Sequence, residues 1–185
     1  MNSTLRTLVI ADDEAINFDD ELQADLLICC GDLSDEFILN IAERTLSRHI
    51  LAVKGNHDTD TAFPAPIVDL HLKVHQHRGL RFGGFNGSWR YKPRGQFLHE
   101  QEEVEQQLAS FPPVDVFVAH NSPRQIHEWD DHVHIGFRAF NAYLERTRPH
   151  VFIHGHQHVN AETLYGKTRI IGVYGQRWIQ LAGAR

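Results

Sequence analysis

The sequence predicts an α/β domain in which β-strands are packed between α-helices. Three observations support this fold class: short apolar runs that end in turn residues, amphipathic stretches between several of these runs, and no repeat, low-complexity segment or long linker. Continuous apolar runs of this length are typical of strands buried on both faces. Strands and helices layered around one core are the expected arrangement.

Five of the apolar runs end in Asp, Glu, Asn or His. They are Leu5–Ala11, Asp25–Cys30, Ile50–Val53, Val114–Ala119 and Val151–Ile153. Further strands are predicted at Leu70–Val74, Leu80–Phe85, Glu162–Tyr165, Thr168–Val173 and Trp178–Leu181, with a hairpin turn at Tyr165-Gly166-Lys167. Open α/β sheets bind ligands in the crevice at the carboxyl ends of their strands. The polar residues after the five runs therefore mark a candidate site.

Apolar residues recur at helical spacing in three segments, Ser34–Ser47, Phe97–Phe111 and Ile135–Thr147. Spacing of this kind buries one face of a helix against a sheet. Pro112 ends the second segment and Pro149 follows the third, as expected because proline cannot continue a helix.

Length and composition narrow the class of protein. The 185 residues, 42% hydrophobic, fit one domain spanning residues 1–185 with an ordinary core. No apolar run approaches the roughly 20 residues of a membrane span, and no signal-peptide pattern is visible. The adjacent Cys29 and Cys30 cannot staple distant parts of the chain, which fits a reducing compartment. We expect a cytoplasmic protein without membrane association, and the net charge of −6 disfavours general nucleic-acid binding.

The side chains at the predicted strand ends form a set of metal ligands without thiolates. They are Asp12, Glu14, Asp32, Asn56, His57, His120, His156 and His158. Carboxylate, amide and imidazole donors together suit Mn, Fe or Zn, and this set is large enough for two ions. Two metals about 3.5–4 Å apart activate a bridging water and stabilise in-line displacement at phosphorus. A histidine that is not a ligand can then protonate the leaving oxygen.

The order of the motifs is specific. They read Asp12-Asp13-Glu14, Gly31-Asp32, Gly55-Asn56-His57-Asp58, Ala119-His120 and Gly155-His156-Gln157-His158. This arrangement resembles the calcineurin-like metallophosphoesterases, whose ordered signature is Asp-x-His, Gly-Asp, Gly-Asn-His-Asp/Glu, a lone His after a strand, and Gly-His-x-His. The resemblance covers nearly the whole chain. It implies a single domain with a layered β-sandwich flanked by helices, in the order α/β/β/α.

The resemblance also implies roles for individual residues. It assigns two divalent metal positions bridged by Asp32, one held by Asp12 and His158 and the other by His120, His156 and Asn56. His57 would protonate the leaving group or bind a phosphoryl oxygen, and Asp58 would orient it. The expected function is hydrolysis of phosphate mono- or diesters by a hydroxide activated between two metals, with small-molecule or nucleotide phosphodiesters favoured as substrates.

Glu14 departs from the family pattern, which has histidine at this position. The side chain two positions after Asp12 should point in a similar direction. We therefore expect Glu14 beside the metal that Asp12 and His158 hold. A carboxylate there would favour Mn or Fe. The alternative is that Glu14 turns to solvent or caps the next segment.

Two other functions compete with the phosphoesterase hypothesis. A scaffold that kept the fold and lost the chemistry is allowed by Glu14, although such a protein has no use for Gly-Asn-His-Asp and both histidines of Gly-His-x-His. A nuclease ranks lower because the chain is acidic.

Two loops could border the site. Residues 88–94 mix cations and aromatics, so they form either a pocket wall for a stacked base or a solvated loop. Residues 122–134 follow His120 and are rich in Asp and His. That composition permits additional metal binding, and a plain surface loop is the alternative.

Overall fold

The computed structural model describes residues 4–15 and 22–182. The strands of these residues are β1 (Leu5–Ala11), β2 (Leu26–Cys29), β3 (Ile50–Ala52), β4 (Ile67–Asp69), β5 (Val74–His77), β6 (Leu80–Phe85), β7 (Ser88–Trp89), β8 (Leu98–His99), β9 (Val116–Ala119), β10 (Val151–His154), β11 (Ala161–Tyr165), β12 (Thr168–Gly172) and β13 (Gly175–Leu181). The helices are α1 (Asp35–Arg44), α2 (Gln101–Leu108) and α3 (Arg138–Thr147). None of them is long and apolar enough to cross a membrane.

The strands form two large sheets. The first has the order β13-β1-β2-β3-β4, and the second has the order β11-β12-β10-β9-β6-β5. Strands β1 to β4 are parallel, and β13 is antiparallel at the edge of its sheet. Strands β6, β9, β10 and β12 are parallel, with β5 and β11 antiparallel at the two edges. Strands β7 and β8 form a separate short pair.

The main core lies between the two sheets. Val9 and Ile28 from the first sheet pack in one buried cluster with Val118, Ile153 and Ile171 from the second. Successive side chains of a strand point to opposite faces, so the other residues of each strand are available to the helices. Burial of one Val or Ile side chain in this core stabilises the fold by about 1.5–3 kcal/mol.

The outer face of the first sheet is covered by α1. Leu8, Leu27 and Cys29 pack there against Ile38 and Ile41 of the helix. The outer face of the second sheet is covered by α2 and α3 through an aromatic-rich cluster of Phe117, Phe152, Val104, Phe140 and Leu144. The result is the predicted α/β/β/α sandwich. Cys29 and Cys30 are buried on opposite faces of the sheet, Cys29 beside α1 and Cys30 in the core between the sheets.

Two sequence predictions about elements were inaccurate. Leu70–Val74 is not one strand: residues 70–73 connect β4 to β5, which begins at Val74. In this connection Leu72 has φ +53° and the Lys73 N–H donates to the Leu70 carbonyl. Apolar residues alternate with His71 and Lys73 as in a half-buried strand, but Leu70 is buried whereas Val74 is exposed.

The second helix also begins later than predicted. Residues 98–99 form β8, and Glu100 starts α2 through a capping box with Glu103. A capping box satisfies free backbone N–H groups and so defines where a helix begins. Leu98 is apolar and buried, so in the sequence it resembles the first buried residue of an amphipathic helix.

Candidate metal centre

The loops after β1, β2, β3, β9 and β10 meet at one end of the sandwich. The backbone N–H of His156, after β10, donates to Asp12 Oδ2, after β1, over 2.9 Å. The N–H of Gly155 donates to the carbonyl of His120, after β9. The first bond joins the carboxyl ends of the two sheets and the second joins neighbouring strands of one sheet, so polar groups from distant parts of the sequence lie close together.

Three side chains form a compact ligand group. One ligand atom from each of Asp12, Asp32 and His120 lies within 4.8 Å of the other two. His120 is fully buried, and its Nδ1 donates to the Cys30 carbonyl at 2.7 Å. Its Nε2 therefore faces two oxygens, Asn56 Oδ1 at 3.1 Å and Asp32 Oδ2 at 3.4 Å. Electron pairs that converge in this way are suited to a cation.

Asp12 supplies an independent sign of a cation position. Its Oδ1 is buried and makes no hydrogen bond within the described residues, and His158 Nε2 lies 3.8 Å from it. A buried carboxylate oxygen without a partner is costly unless a cation compensates its charge. Burial raises the pKa of Asp12 to about 7, although the charge of His120 acts in the opposite direction. The residues present therefore fit a divalent metal.

The electrostatics of Asp32 and His120 are coupled. Burial alone would lower the pKa of His120, but the charge and hydrogen bond of Asp32 outweigh it and raise that pKa to about 9. Burial alone would likewise raise the pKa of Asp32, yet His120 holds it below its usual range. Because a metal ion supplies positive charge without a proton, it can replace the proton that this pair otherwise shares.

The backbone of the site is strained. Asp12, Asp32, His156 and His158 have φ values of +64°, +57°, +60° and +48°. Residues with side chains rarely adopt such values, which cost about 1–3 kcal/mol each and persist where the surroundings hold them. The strain occurs at four of the side chains expected to bind metal.

Two glycines make this close approach sterically feasible. A Cβ at Gly55 would collide with the Asp32 carboxylate, and a Cβ at Gly155 would lie 2.6 Å from Asp12 Oδ2. The Gly-Asn-His-Asp and Gly-His-x-His motifs therefore need glycine for space beside the carboxylates.

His57 and Asp58 occupy different environments. The His57 side chain is exposed and borders a cleft of about 370 Å³ with Asp32 and Lys54, while its backbone N–H donates to Asp32 Oδ1 at 2.7 Å. Asp58 was expected to orient the His57 ring. In the structure Asp58 Oδ2 accepts the backbone N–H groups of Asp32 and Gly55 at 2.9 and 2.7 Å, so its carboxylate fastens the two loops together.

Glu14 takes the alternative role considered for it. Its Oε1 accepts the backbone N–H of Ser34 at 2.6 Å, and Ser34 is the N-terminal cap of α1. The side chain is exposed, and it does not belong to the ligand group of Asp12, Asp32 and His120. A carboxylate at a helix N-terminus is stabilised by the free N–H groups there. Glu14 accepts one of these N–H groups at the start of α1.

The two histidines of Gly-His-x-His lie next to different members of the ligand group, His156 beside His120 and His158 beside Asp12. The buried His156 ring lies 5.0 Å from the ring of His120, and its Nε2 is 3.4 Å from the Val133 carbonyl. His158 is exposed and lies beside Asp12 and the ring of Tyr174. The pairings expected from sequence, His158 with Asp12 and His156 with His120, are thus reproduced as neighbours in space.

Sequence reasoning missed the supporting role of two residues. Tyr91 accepts a hydrogen bond at its hydroxyl from Asn56 Nδ2 over 3.2 Å, which leaves Asn56 Oδ1 directed at His120. Lys54 is buried beside the cleft, with its ammonium 4.2 Å from the centre of the Phe63 ring. Neither role has a local signal, although Tyr91 lies in the aromatic and cationic loop considered as a pocket wall.

The comparisons with known proteins agree with this fold. Residues 9–174 match the calcineurin-like phosphoesterase superfamily domain. The fold is similar to TT1561 of Thermus thermophilus (TM-score 0.60, 12% identity, 94% of this chain and 90% of that one). It is also similar to the phosphopantetheinyl hydrolase of Mycobacterium tuberculosis (TM-score 0.58, 15% identity, 92% and 89%). A third similar structure is Vps29 of Entamoeba histolytica in complex with Zn²⁺ (TM-score 0.50, 17% identity, 92% and 74%). No curated protein sequence matches the chain.

The family match covers most of the chain, so this protein belongs to the calcineurin-like phosphoesterase superfamily. The similar structures share its fold at low identity and leave its substrate open. Divalent metals are typical of the family, and the ligand group of Asp12, Asp32 and His120 fits them.

Proposed function

We propose that this protein is a metal-dependent phosphoesterase that hydrolyses phosphate esters, with small-molecule or nucleotide phosphodiesters as its substrate class. The observation that carries the proposal is the buried Oδ1 of Asp12, which has no hydrogen-bond partner among the described residues and lies beside the Asp32–His120 pair. A fold without a metal would gain stability by giving that oxygen a hydrogen-bond donor. An Asp12 oxygen without a hydrogen-bond donor is expected where a bound cation compensates its negative charge.

Two divalent metals, Mn, Fe or Zn, would be held by this set. Asp12 and His158 would hold one, Asp32 would bridge, and His120, His156 and Asn56 would hold the other. When bound, the ions supply an activated water and neutralise charge on the phosphoryl oxygens. The chain's own contribution is to present converging oxygen and nitrogen lone pairs in a buried, glycine-lined pocket.

The cleft next to this centre suits a phosphate ester. Lys54 supplies a fixed positive charge at its wall, which attracts a phosphoryl group. His57 borders the same cleft, and no side chain of the described residues bonds to its ring, so its imidazole can hand a proton to the leaving oxygen. Both groups lie on the segment after β3, directly beside the bridging Asp32.

A second candidate function is that of a scaffold that has lost its chemistry. The capping role of Glu14 favours it, because the imidazole of the family's Asp-x-His motif is missing and the replacement is turned to α1. The scaffold and the enzyme differ in one measurable property, which is metal-dependent turnover.

The test is a panel of aryl monoesters, aryl diesters and cyclic nucleotides, each assayed with Mn, Fe, Zn, Co and Mg after the protein has been stripped of metal. Neighbouring carboxylates offer a matched pair of variants. Asp12→Asn should lose metal and turnover, whereas Asp13→Asn, whose Oδ1 accepts the Ala15 N–H, should keep both. Stoichiometric metal with no turnover on any ester would favour the scaffold, and absence of metal binding would overturn the proposal.

A further inference from the structure

The loop between β9 and α3 contains a carboxylate–histidine pair that the proposed function does not use. His134 Nδ1 lies 2.7 Å from Asp131 Oδ2 and donates to it. Asp131 Oδ1 also accepts the backbone N–H groups of Val133 and His134, each at 2.8 Å. This arrangement fixes the tautomer of His134, so the lone pair of its Nε2 is available to bind a metal.

The His134 ring lies over the Gly-His-x-His motif. Its centre is 5.2 Å from the ring centre of His156 and 6.0 Å from that of His158. With Zn–N bonds of about 2.0–2.1 Å, two imidazoles on one tetrahedral ion have ring centres roughly 5 Å apart. The distances from the His134 ring to those of His156 and His158 are near this value.

The loop is fastened in this position. Gln157 Nε2 donates to the His134 carbonyl at 3.0 Å, and it also reaches Asn121 Oδ1 and Ser122 Oγ. In return, Trp129 Nε1 donates to the Gln157 carbonyl. Gln157 is the buried residue between the two motif histidines, so the loop and the motif are held as one unit.

The family pattern has one imidazole that this centre lacks, and the loop offers another. The family pattern has histidine at position 14, and Glu14 is instead directed at the cap of α1. Histidines that bind metals almost always donate their second ring nitrogen to a carboxylate or a carbonyl. His120 does so with the Cys30 carbonyl, and His134 does so with Asp131.

We propose that His134 is an additional metal ligand on the His156–His158 side of the centre, where it provides the imidazole that position 14 does not, and that Asp131 orients it. The inference rests on the proposed function only in requiring that the centre binds metal. It requires no turnover, so the two can fail separately.

The test measures metal binding directly. Metal-free wild type, His134→Ala and Asp131→Asn are titrated with Zn²⁺ for affinity and with Co²⁺ for its visible spectrum, which reports on the ligands. His132→Ala is the matched control, because His132 is an exposed histidine of the same loop. Circular dichroism checks that each variant is folded.

We expect His134→Ala to weaken one metal position by at least 100-fold and to change the Co²⁺ spectrum, with the control unchanged. Asp131→Asn, which keeps the imidazole, should weaken the same position by about 10–100-fold. Two ions bound by folded His134→Ala with wild-type affinity and spectrum would overturn the inference and leave the proposed function intact.

If His134→Ala does not fold, the metal titration of Asp131→Asn tests the inference. Wild-type metal affinity in that variant overturns it. Wild type that binds no metal overturns both proposals. A third outcome separates the two proposals. If the wild type binds two ions, His134→Ala weakens metal binding and no ester is hydrolysed, His134 is a metal ligand but the protein is not a phosphoesterase.

Discussion

Two groups of histidines lie at opposite ends of β3. His49 precedes the strand and contacts two histidines of β5, with His49 Nε2 2.9 Å from His75 Nε2 and its ring stacked 3.7 Å from that of His77. The other group follows the carboxyl ends of the strands, where His120 and His156 lie near Asp12 and Asp32. The same residue type is thus used in two different electrostatic settings.

The difference lies in the carboxylates. Asp32 raises the pKa of His120 to about 9 even though burial opposes it. At the other end, burial together with His77 and His75 lowers the pKa of His49 to about 4. The nearby Asp25 is engaged with Arg78, 3.7 Å away. The comparison shows that a neighbouring carboxylate decides how readily a buried imidazole takes up a proton.

The largest effect that would separate the two groups is loss of metal. Asp32→Ala removes the oxygen shared by both proposed ions, so we expect loss of bound metal and a fall in activity of roughly 10³-fold or more. This follows because metals supply several kcal/mol of transition-state stabilisation and each ~1.4 kcal/mol is a factor of ten. Metal content by mass spectrometry and kcat/KM on an aryl diester are the measurements.

The control comes from the other group. His49→Ala should leave metal content and kcat/KM as in wild type, because His49 precedes β3 and lies outside the group of converging ligands found among the described residues. Full turnover of Asp32→Ala at wild-type metal stoichiometry would contradict the two-metal interpretation.

The next effect concerns the exposed histidine of the metal end. His57→Ala should slow hydrolysis of alkyl esters by about 10²–10⁴-fold, and slow p-nitrophenyl esters much less. A good leaving group departs as an anion and needs little help from a general acid. Rates for a series of leaving groups of different pKa measure this, and equal losses across the series would assign His57 to binding instead.

Glu14 gives a smaller effect, in stability and not in metal binding. Glu14→Ala should lower the free energy of unfolding by about 1 kcal/mol, because it removes a cap contact at the start of α1. Its metal affinity and pH–rate profile should match those of wild type. Calorimetric titration and urea unfolding test the two parts, and weaker metal binding would restore Glu14 as a ligand.

The smallest effect is a pH dependence at the His49 group. The folded-state pKa of His49 lies below its unfolded value of 6.5, so the unfolded state takes up a proton first as the pH falls. Stability from this site is complete above pH 6.5 and is lost between 6.5 and about 4. Solvent screening of this half-buried ring keeps the loss below about 1 kcal/mol.

His49→Gln removes the titrating group, and we expect its urea midpoint to fall less than that of wild type between about pH 7 and pH 4. Equal slopes for the two proteins would show that the histidines of this end do not resist protonation.

Much of the fold and the centre followed from local patterns. Leu5–Ala11 is a strand with the predicted bounds, and the polar residues after the apolar runs do meet at one end of the sheets. These predictions hold because strands that are buried on both faces require continuous runs of apolar residues, which are visible in the sequence. The strand predicted at Leu70–Val74 was wrong because an alternating apolar pattern does not reveal a turn inside it.

Side-chain partners were harder to predict. Asp58 accepts backbone N–H groups from two loops, and Tyr91 orients Asn56 from 35 positions away. A motif specifies which residue stands after a strand, but the direction of its side chain depends on neighbours that only the folded chain brings near.

The sequence by itself determined the α/β class, the end of the sheets that carries the site and the chemistry of its donors. Those properties are encoded in residues next to one another and in the order of the motifs. Only the tertiary structure decided that Glu14 caps α1 and that His134, held by Asp131, lies beside His156 and His158. The reason is physical, because each of these outcomes depends on contacts in which loops from different strands converge.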